Sequence, residues 1–127
     1  MVWIPKYRRK VLVGEVKTLA EKYIREITNY HPDVHVIQMN VQPDHIHLVI
    51  EIPPKYAVAE VIGKIKQNSG RKIRKEVKSL KKVYWEEGMM WSPGYFSSTV
   101  GMDEEEIRKY VENQEKIDTG EYQLKLF

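Results

Sequence analysis

The sequence has no cysteine. Disulfide bridges and thiolate-held metals are therefore excluded, and a reducing, cytoplasmic setting is expected. Long apolar runs are missing as well. No stretch approaches the roughly 20 residues that a membrane-spanning helix requires, so no membrane partner is expected. The opening residues, MVWIPKYRRK, lack the apolar run of a secretory signal. Internal repeats and low-complexity tracts are absent. Acidic residues are scarce in one long segment: between Lys64 and Lys82 nine basic residues stand against the single acid Glu76.

The 127 residues are 42% hydrophobic and 31% charged, the balance of a folded globular chain rather than a disordered one. The length predicts a single domain over residues 1–127, large enough to bury roughly two-thirds of its unfolded surface. A net charge of +3 conceals a segregation. A second basic cluster comprises Lys6, Arg8, Arg9 and Lys10, while the C-terminal part turns acidic from Asp103 onward. Charge separated in this way suggests a face for a polyanion such as nucleic acid; a solvated helix surface is the plainer alternative.

Hydrophobic periodicity predicts the elements. Residues 2–4 read as the end of a strand before the break at Pro5. Val16, Leu19, Ala20, Tyr23, Ile24 and Ile27 recur at helical spacing, which predicts an amphipathic helix from Gly14 to Tyr30 stopped at His31-Pro32. Val34–Val41 is β-branched and mostly alternating, a strand. The turn Gln42-Pro43-Asp44 and a strand over 45–52 close a hairpin, which Pro53-Pro54 ends. A second helix is expected from Ala57 through Ser69-Gly70 to Lys78, with Val58, Val61, Ile62 and Ile65 on one face. Gly70 weakens it by about 1 kcal/mol without breaking it. KVYW (82–85) and GYFSST (94–99) read as short strands around a turn at Ser92-Pro93. The last helix starts at Asp103, which with Glu106 forms a capping box, and runs to Asp118. The order β-α-β-β-α-β-β-α predicts an α+β domain: an antiparallel sheet of about four to five strands with helices packed on its faces, related to ferredoxin-like folds.

The stretch QPDHIHLVIEI carries the first chemical signal. Strand side chains alternate, so Ile46, Leu48, Ile50 and Ile52 share a core face, while His45, His47, Val49 and Glu51 share the other. Two residues of strand span about 6.6 Å, close enough for two imidazoles to converge on one ion. Alone, the pair reads as readily as two polar residues on a solvent face. His31 and His35 have no further ligand types around them and read as structural or surface residues. A third ligand is available on the last helix, whose apolar stripe runs Ile107, Tyr110, Val111, position 114 and Ile117. Position 114 is Gln114, and an amide inside a buried stripe is costly unless satisfied. Tyr110 lies one turn earlier, rotated by only about 40°, so the helix offers a phenol and an amide oxygen side by side. Simple packing of Tyr110 and a backbone hydrogen bond from Gln114 would explain both residues without any chemistry.

Together these segments resemble one family. PDHIHLVIEIPP resembles the HUH motif (His, bulky apolar residue, His) of single-strand DNA nucleases. WSPGYFSSTVG followed by a helix with YVENQ is similar to the C-terminal signature of the TnpA-type single-tyrosine transposases of very small insertion sequences, the IS200-like family. WIPKYRRKVL matches that family's N-terminal segment, and IGKIKQNSGRKIRKE its basic middle helix. The resemblance implies that His45 and His47 are metal ligands, that Gln114 is the third ligand and that Tyr110 is the nucleophile. It implies a divalent cofactor, Mg2+ or Mn2+, and no nucleotide cofactor. It implies a homodimer whose sheets join, acting on single-stranded DNA with hairpins at the element ends. Tyr110 would attack phosphorus to give a 5′-phosphotyrosine and a free 3′-hydroxyl, conserving the phosphodiester energy for rejoining. Members of the family carry several more residues before the Trp-x-Pro-Lys-Tyr-Arg segment, so the first strand is expected to be short here.

Around this set, Arg8, Arg9, Lys10, Lys64, Lys66, Arg71, Lys72, Arg74 and Lys75 are expected to contact DNA phosphates. Tyr7, Trp85 and Trp91 are candidates for stacking on unpaired bases, with core packing the expectation for Trp91 and Tyr95. Asp44 reads as a turn former, or as a residue that orients an imidazole from behind. Three other readings stay open: a host-adopted HUH nuclease that no longer moves an element, a catalytically silent nucleic-acid-binding module, and a metal-binding protein without a DNA role. The short link Val100-Gly101-Met102 is compatible with Tyr110 serving its own histidines or those of a second copy.

Overall fold

The computed structural model describes residues 1–5, 8–80, 90–98 and 103–120. Its elements in chain order are β1 (Val2–Trp3), α1 (Gly14–Arg25), α2 (Ile27–Tyr30), β2 (His35–Gln42), β3 (His45–Glu51), α3 (Val58–Glu76) and α4 (Glu104–Asp118). The strands form an antiparallel sheet in the order β1-β3-β2, within the α+β architecture expected from the sequence.

Strand β3 is the centre of the sheet, and the hairpin joins it to β2. Its two-residue turn, Pro43-Asp44, sets a register in which Gln42 pairs with His45 and Asn40 with His47, and Val2 lies opposite His47 on the other side. A shift between Val36 and Gln38 bulges the far end of β2, which bends a strand and raises its twist. The described part of GYFSST, residues 94–98, does not form the continuous strand its composition suggests. Phe96 bridges Val2 and Trp91 bridges Pro5, each in isolation. Pro93 lacks a donor between them, and Gly94 takes a left-handed φ of +83°, so a regular ladder cannot run through. KVYW lies outside the described residues.

Helices α1 and α3 cover one face of the sheet. Ala20, Tyr23 and Ile24 of α1 meet Val61, Ile62, Ile65 and Ile73 of α3 over Trp3, Ile46 and Leu48; each such fully buried aliphatic side chain contributes about 1.5–3 kcal/mol relative to exposure. The helix α3 passes through Gly70 because Trp91 lies against it: a β-carbon there would sit 3.2 Å from Trp91 Cδ1. Trp91 also donates its indole N–H to Ser69 Oγ at 3.1 Å and meets Trp3 edge-on. It is a core residue, which removes it from the base-stacking candidates.

The single helix expected over Gly14–Tyr30 divides at Glu26. There the carboxylate is drawn to α3, accepting from Lys72 Nζ at 2.7 Å and Asn68 Nδ2 at 3.1 Å, and the backbone tightens to an i→i−3 bond on Tyr23. On the opposite face of the sheet, α4 packs Val111 against Val2 and Ile4, with Ile107, Tyr110 and Phe96 around them. Asp103 caps α4, its side chain accepting from Glu106 N at 2.8 Å. Ile117, expected in the buried stripe, is 43% exposed; Asp118 takes the inward position one turn after Gln114. No helix among the described residues is long and apolar enough to cross a membrane.

Candidate active site

Strand β3 directs two imidazoles away from the main core. Ile46 and Leu48 are fully buried, and with a side-chain period of two this forces His45 and His47 onto the other face. Gln42 and Asn40 stand beside them in the hairpin register, joined by a 2.8 Å bond from Gln42 Nε2 to Asn40 Oδ1. Glu104, Ile107, Arg108 and Val111 of α4 form one wall, and Arg8 and Asp44 close the end. The result is an open cleft of about 430 Å³ with both imidazoles in its lining.

The chemistry of this half suits a divalent ion. Asp44 Oδ1 lies 2.9 Å from His45 Nδ1. A carboxylate only accepts, so Nδ1 carries the proton, and in the neutral imidazole Nε2 is then the lone-pair end. The second oxygen, Asp44 Oδ2, accepts from Arg8 Nε at 2.9 Å. Burial pushes the Asp44 carboxyl up, but the hydrogen bonds from His45 and Arg8 outweigh it and hold it below the usual aspartate range. Asp44 is thus more than a turn former. Burial also holds His47 below the ordinary imidazole value, with the positive N-terminal amine and His45 adding to the effect. The neutral imidazole is the form that binds a metal. The pair fits a metal ion as two of its ligands; among the described residues no cluster of three His, Asp or Glu side chains completes the set.

Tyr110 and Gln114 share α4 with the cleft wall but occupy its other flank. Tyr110 stacks on Phe96, ring centroids 5.8 Å apart. Gln114, 9% exposed, donates from Nε2 to Ser92 Oγ at 2.8 Å and Asp118 Oδ1 at 3.3 Å, and Ser92 Oγ itself donates to Asp118 at 2.7 Å. Across the sheet at this level the residues run Asn40, His47, Val2, Phe96. Neighbouring strands lie about 4.8 Å apart, which puts Phe96 roughly 10 Å from His47. Val2, Ile4 and Val111 fill the space between. Consecutive helix residues point about 100° apart, so Val111 lines the cleft while Tyr110 faces Phe96. One chain therefore brings His45 to His47 and Tyr110 to Gln114, without joining the two pairs.

The hydroxyl of the half-buried Tyr110 is shielded from solvent and has no hydrogen-bond partner among the described residues. Burial, and then the negative charge of Asp118, push it up to about 12, so in this arrangement it stays protonated.

The expected DNA-contacting residues divide by environment. Lys64, Arg71 and Lys75 are exposed on α3, as are Arg9 and Lys10 near the N-terminus. The α3 residues lie on the face of the sheet opposite the cleft. Lys72 is paired with Glu26. Arg74 is half-buried, its Nε without a partner among the described residues. Lys66 departs most from expectation. Its ammonium donates to the carbonyls of Ser92 at 2.7 Å and Gly94 at 2.8 Å, and burial lowers it to about 8 against the pull of Asp118. It clamps the 92–94 loop instead of reaching into solvent. Arg8 faces Asp44 rather than open solvent, in a left-handed backbone conformation, φ +54°. Lys6, Tyr7 and Trp85 lie outside the described residues. Asn40, Gln42 and Arg108 also line the cleft and were not expected there from the sequence; pairing across the Pro43-Asp44 turn, which sets Asn40 opposite His47 and Gln42 opposite His45, is the signal that could have found the first two.

The chain is similar to known proteins over most of its length. A family model described as "Transposase IS200 like" matches residues 1–114. The ISDra2 transposase TnpA of Deinococcus radiodurans is 35% identical over 115 residues, covering 90% of this chain and 81% of that protein. The transposase for insertion sequence element IS200 of Salmonella typhimurium is 30% identical over 126 residues, covering 99% and 82%. Among solved structures, that of a candidate transposase from Deinococcus radiodurans superposes with a TM-score of 0.79 at 30% identity, covering 89% of this chain and 86% of that one.

Proposed function

Because the chain belongs to the IS200-like transposase family, we propose that it cuts and rejoins single-stranded DNA at insertion-sequence ends through a 5′-phosphotyrosine on Tyr110. The observation that carries this reading is the orphaned phenol. A buried tyrosine kept for packing finds a partner for its hydroxyl, and Tyr110 has none among the described residues, on a helix whose other flank walls the histidine cleft.

The phenolate oxygen of Tyr110 attacks phosphorus, the bond to the 3′-oxygen breaks, and the 3′-hydroxyl leaves with a proton. The number of phosphodiester bonds is conserved, so attack by a 3′-hydroxyl on the phosphotyrosine reverses the step without an external energy source. His45 and His47, with Gln114, would hold a divalent Mg2+ or Mn2+ ion, which when bound supplies charge to polarise the phosphate. Tyr110 must first leave the environment that holds its proton. Exposed cations at Lys64, Arg71 and Lys75, with Arg9 and Lys10, attract the DNA backbone.

The protein acts as a homodimer in which His45 and His47 of one copy work with Tyr110 and Gln114 of the other. Two features support this: the apolar wall of Val2, Ile4 and Val111 between the two pairs within one chain, and the place of β2 as the outer strand among the described residues, a position that invites strand pairing. The test is incubation with a labelled single-stranded hairpin oligonucleotide and Mn2+. A denaturation-resistant adduct mapping to Tyr110 is expected, absent for Tyr110→Phe, with DNA binding retained. Equal capture by Tyr110→Phe would refute the assignment.

A further inference from the structure

We infer that Arg8 is a positioning residue for the histidine pair, acting through Asp44, rather than a direct ligand of DNA phosphate. The inference rests on the metal reading of His45 and His47. Its first support is geometric. Asp44 gives one oxygen to Arg8 Nε and the other to His45 Nδ1, each at 2.9 Å. A carboxylate held at both oxygens cannot turn without losing a bond, so the His45 ring is held with it and Nε2 is kept as the end that binds an ion.

The second support is the backbone. Among the described residues, Arg8 is the only non-glycine with positive φ, held by a 2.9 Å bond from its N–H to the carbonyl of Pro5. Side-chain-bearing residues avoid this region, and those that persist there concentrate at functional sites. A cation needed only for its charge would serve from an ordinary conformation, as an exposed neighbour such as Lys10 can.

The third support is burial. Asp44 belongs to a two-residue hairpin turn, where side chains ordinarily face water. Its side chain is only 15% exposed and lies against a guanidinium that is itself 27% exposed. Arg8 Nη1 also stands 3.5 Å from Glu115 Oε1 of α4. A phosphate bound at Arg8 would compete with two carboxylates already in place.

The test is Mn2+ affinity by calorimetry on the full chain without DNA, together with the ¹⁵N spectrum of the His45 ring without metal. Arg8→Ala should weaken Mn2+ binding tenfold or more, the range expected when an outer partner of a metal ligand is lost, and the Nδ1–H form of His45 should give way to a mixture. Arg8→Lys keeps the charge without the fork and should lose part of the affinity; if Arg8→Ala does not fold, this variant decides. Lys17→Ala, a charge removed from the exposed side of α1, should leave Mn2+ affinity unchanged. Unaltered affinity and tautomer in the Arg8 variants, with weaker single-stranded DNA binding, would overturn the inference and make Arg8 a phosphate contact. His45→Ala separates the two levels: Mn2+ binding as tight as wild type there would bring down the metal reading, and this inference with it.

Discussion

The two halves of the candidate site are built in opposite ways. The histidine half sits on a strand at the centre of the sheet, opens to a cleft, and has an imidazole already oriented, with His45 held by Asp44 and Asp44 by Arg8. The tyrosine half sits on a helix, is closed by Phe96 and Ser92, and leaves the Tyr110 hydroxyl without a partner among the described residues. A metal site works when its ligands are fixed before the ion arrives. A nucleophile that becomes covalently attached to DNA has the opposite requirement, since it must be delivered to the phosphate and withdrawn with its product. On the proposed function, placing the two on different layers, joined through a small apolar contact at Val111, would meet both requirements.

The comparison breaks most sharply at Tyr110. Tyr110→Phe should abolish covalent capture, while chemical denaturation should show stability unchanged or raised by up to about 1 kcal/mol, because an unsatisfied buried hydroxyl is removed. A clear stability loss would mean that the phenol has a structural partner. On the other half, His47→Ala should reduce Mn2+-dependent cleavage by more than the 10- to 100-fold typical of an outer-shell change and leave stability nearly unaltered, measured on the same oligonucleotide.

Titration sharpens the contrast at intermediate size. The folded value of Tyr110, about 12, lies above the ordinary tyrosine value of 10.0, so its contribution to stability is present below pH 10 and lost as pH rises through 12. The folded value of Lys66, about 8, lies below the ordinary lysine value of 10.5; between these the unfolded chain binds more protons, and stability rises with pH. Unfolding midpoints from pH 7 to 11 should therefore climb and then turn down. In Tyr110→Phe the contribution of Tyr110 to the downturn should vanish while the climb remains. The smallest effects belong to the exposed cations. Lys64→Ala or Lys75→Ala should each weaken single-stranded DNA binding modestly and reduce the salt slope by about 0.7. Lys66→Met should leave that slope unchanged and lower stability instead, because two loop carbonyls lose their donor.

Much of this was legible in the sequence because it depends on local periodicity. Alternation in β3 separated the histidines from the core, the capping residue Asp103 located the start of α4, and the amide in an apolar stripe singled out Gln114. The rest depends on contacts between distant residues, which periodicity does not contain. The break at Glu26 falls where its carboxylate meets Lys72 and Asn68 on another helix. Lys66 looks like any surface cation until the 92–94 loop folds over it. The separation of Tyr110 from the histidines follows from which side of Val111 meets Val2 and Ile4, and no pattern within the helix specifies that.

The central claim, that the chain carries two half-sites completed between copies, is tested most directly by mixing two inactive variants. Tyr110→Phe and His47→Ala, unfolded together and refolded as a mixture, should recover covalent capture of a single-stranded hairpin oligonucleotide to roughly a quarter of wild type, as expected for random pairing of two subunits with one composite site intact in each mixed pair. Capture that stays at the level of the separate variants, although mixed dimers have formed, would contradict the claim and place His47 and Tyr110 of one chain in the same site.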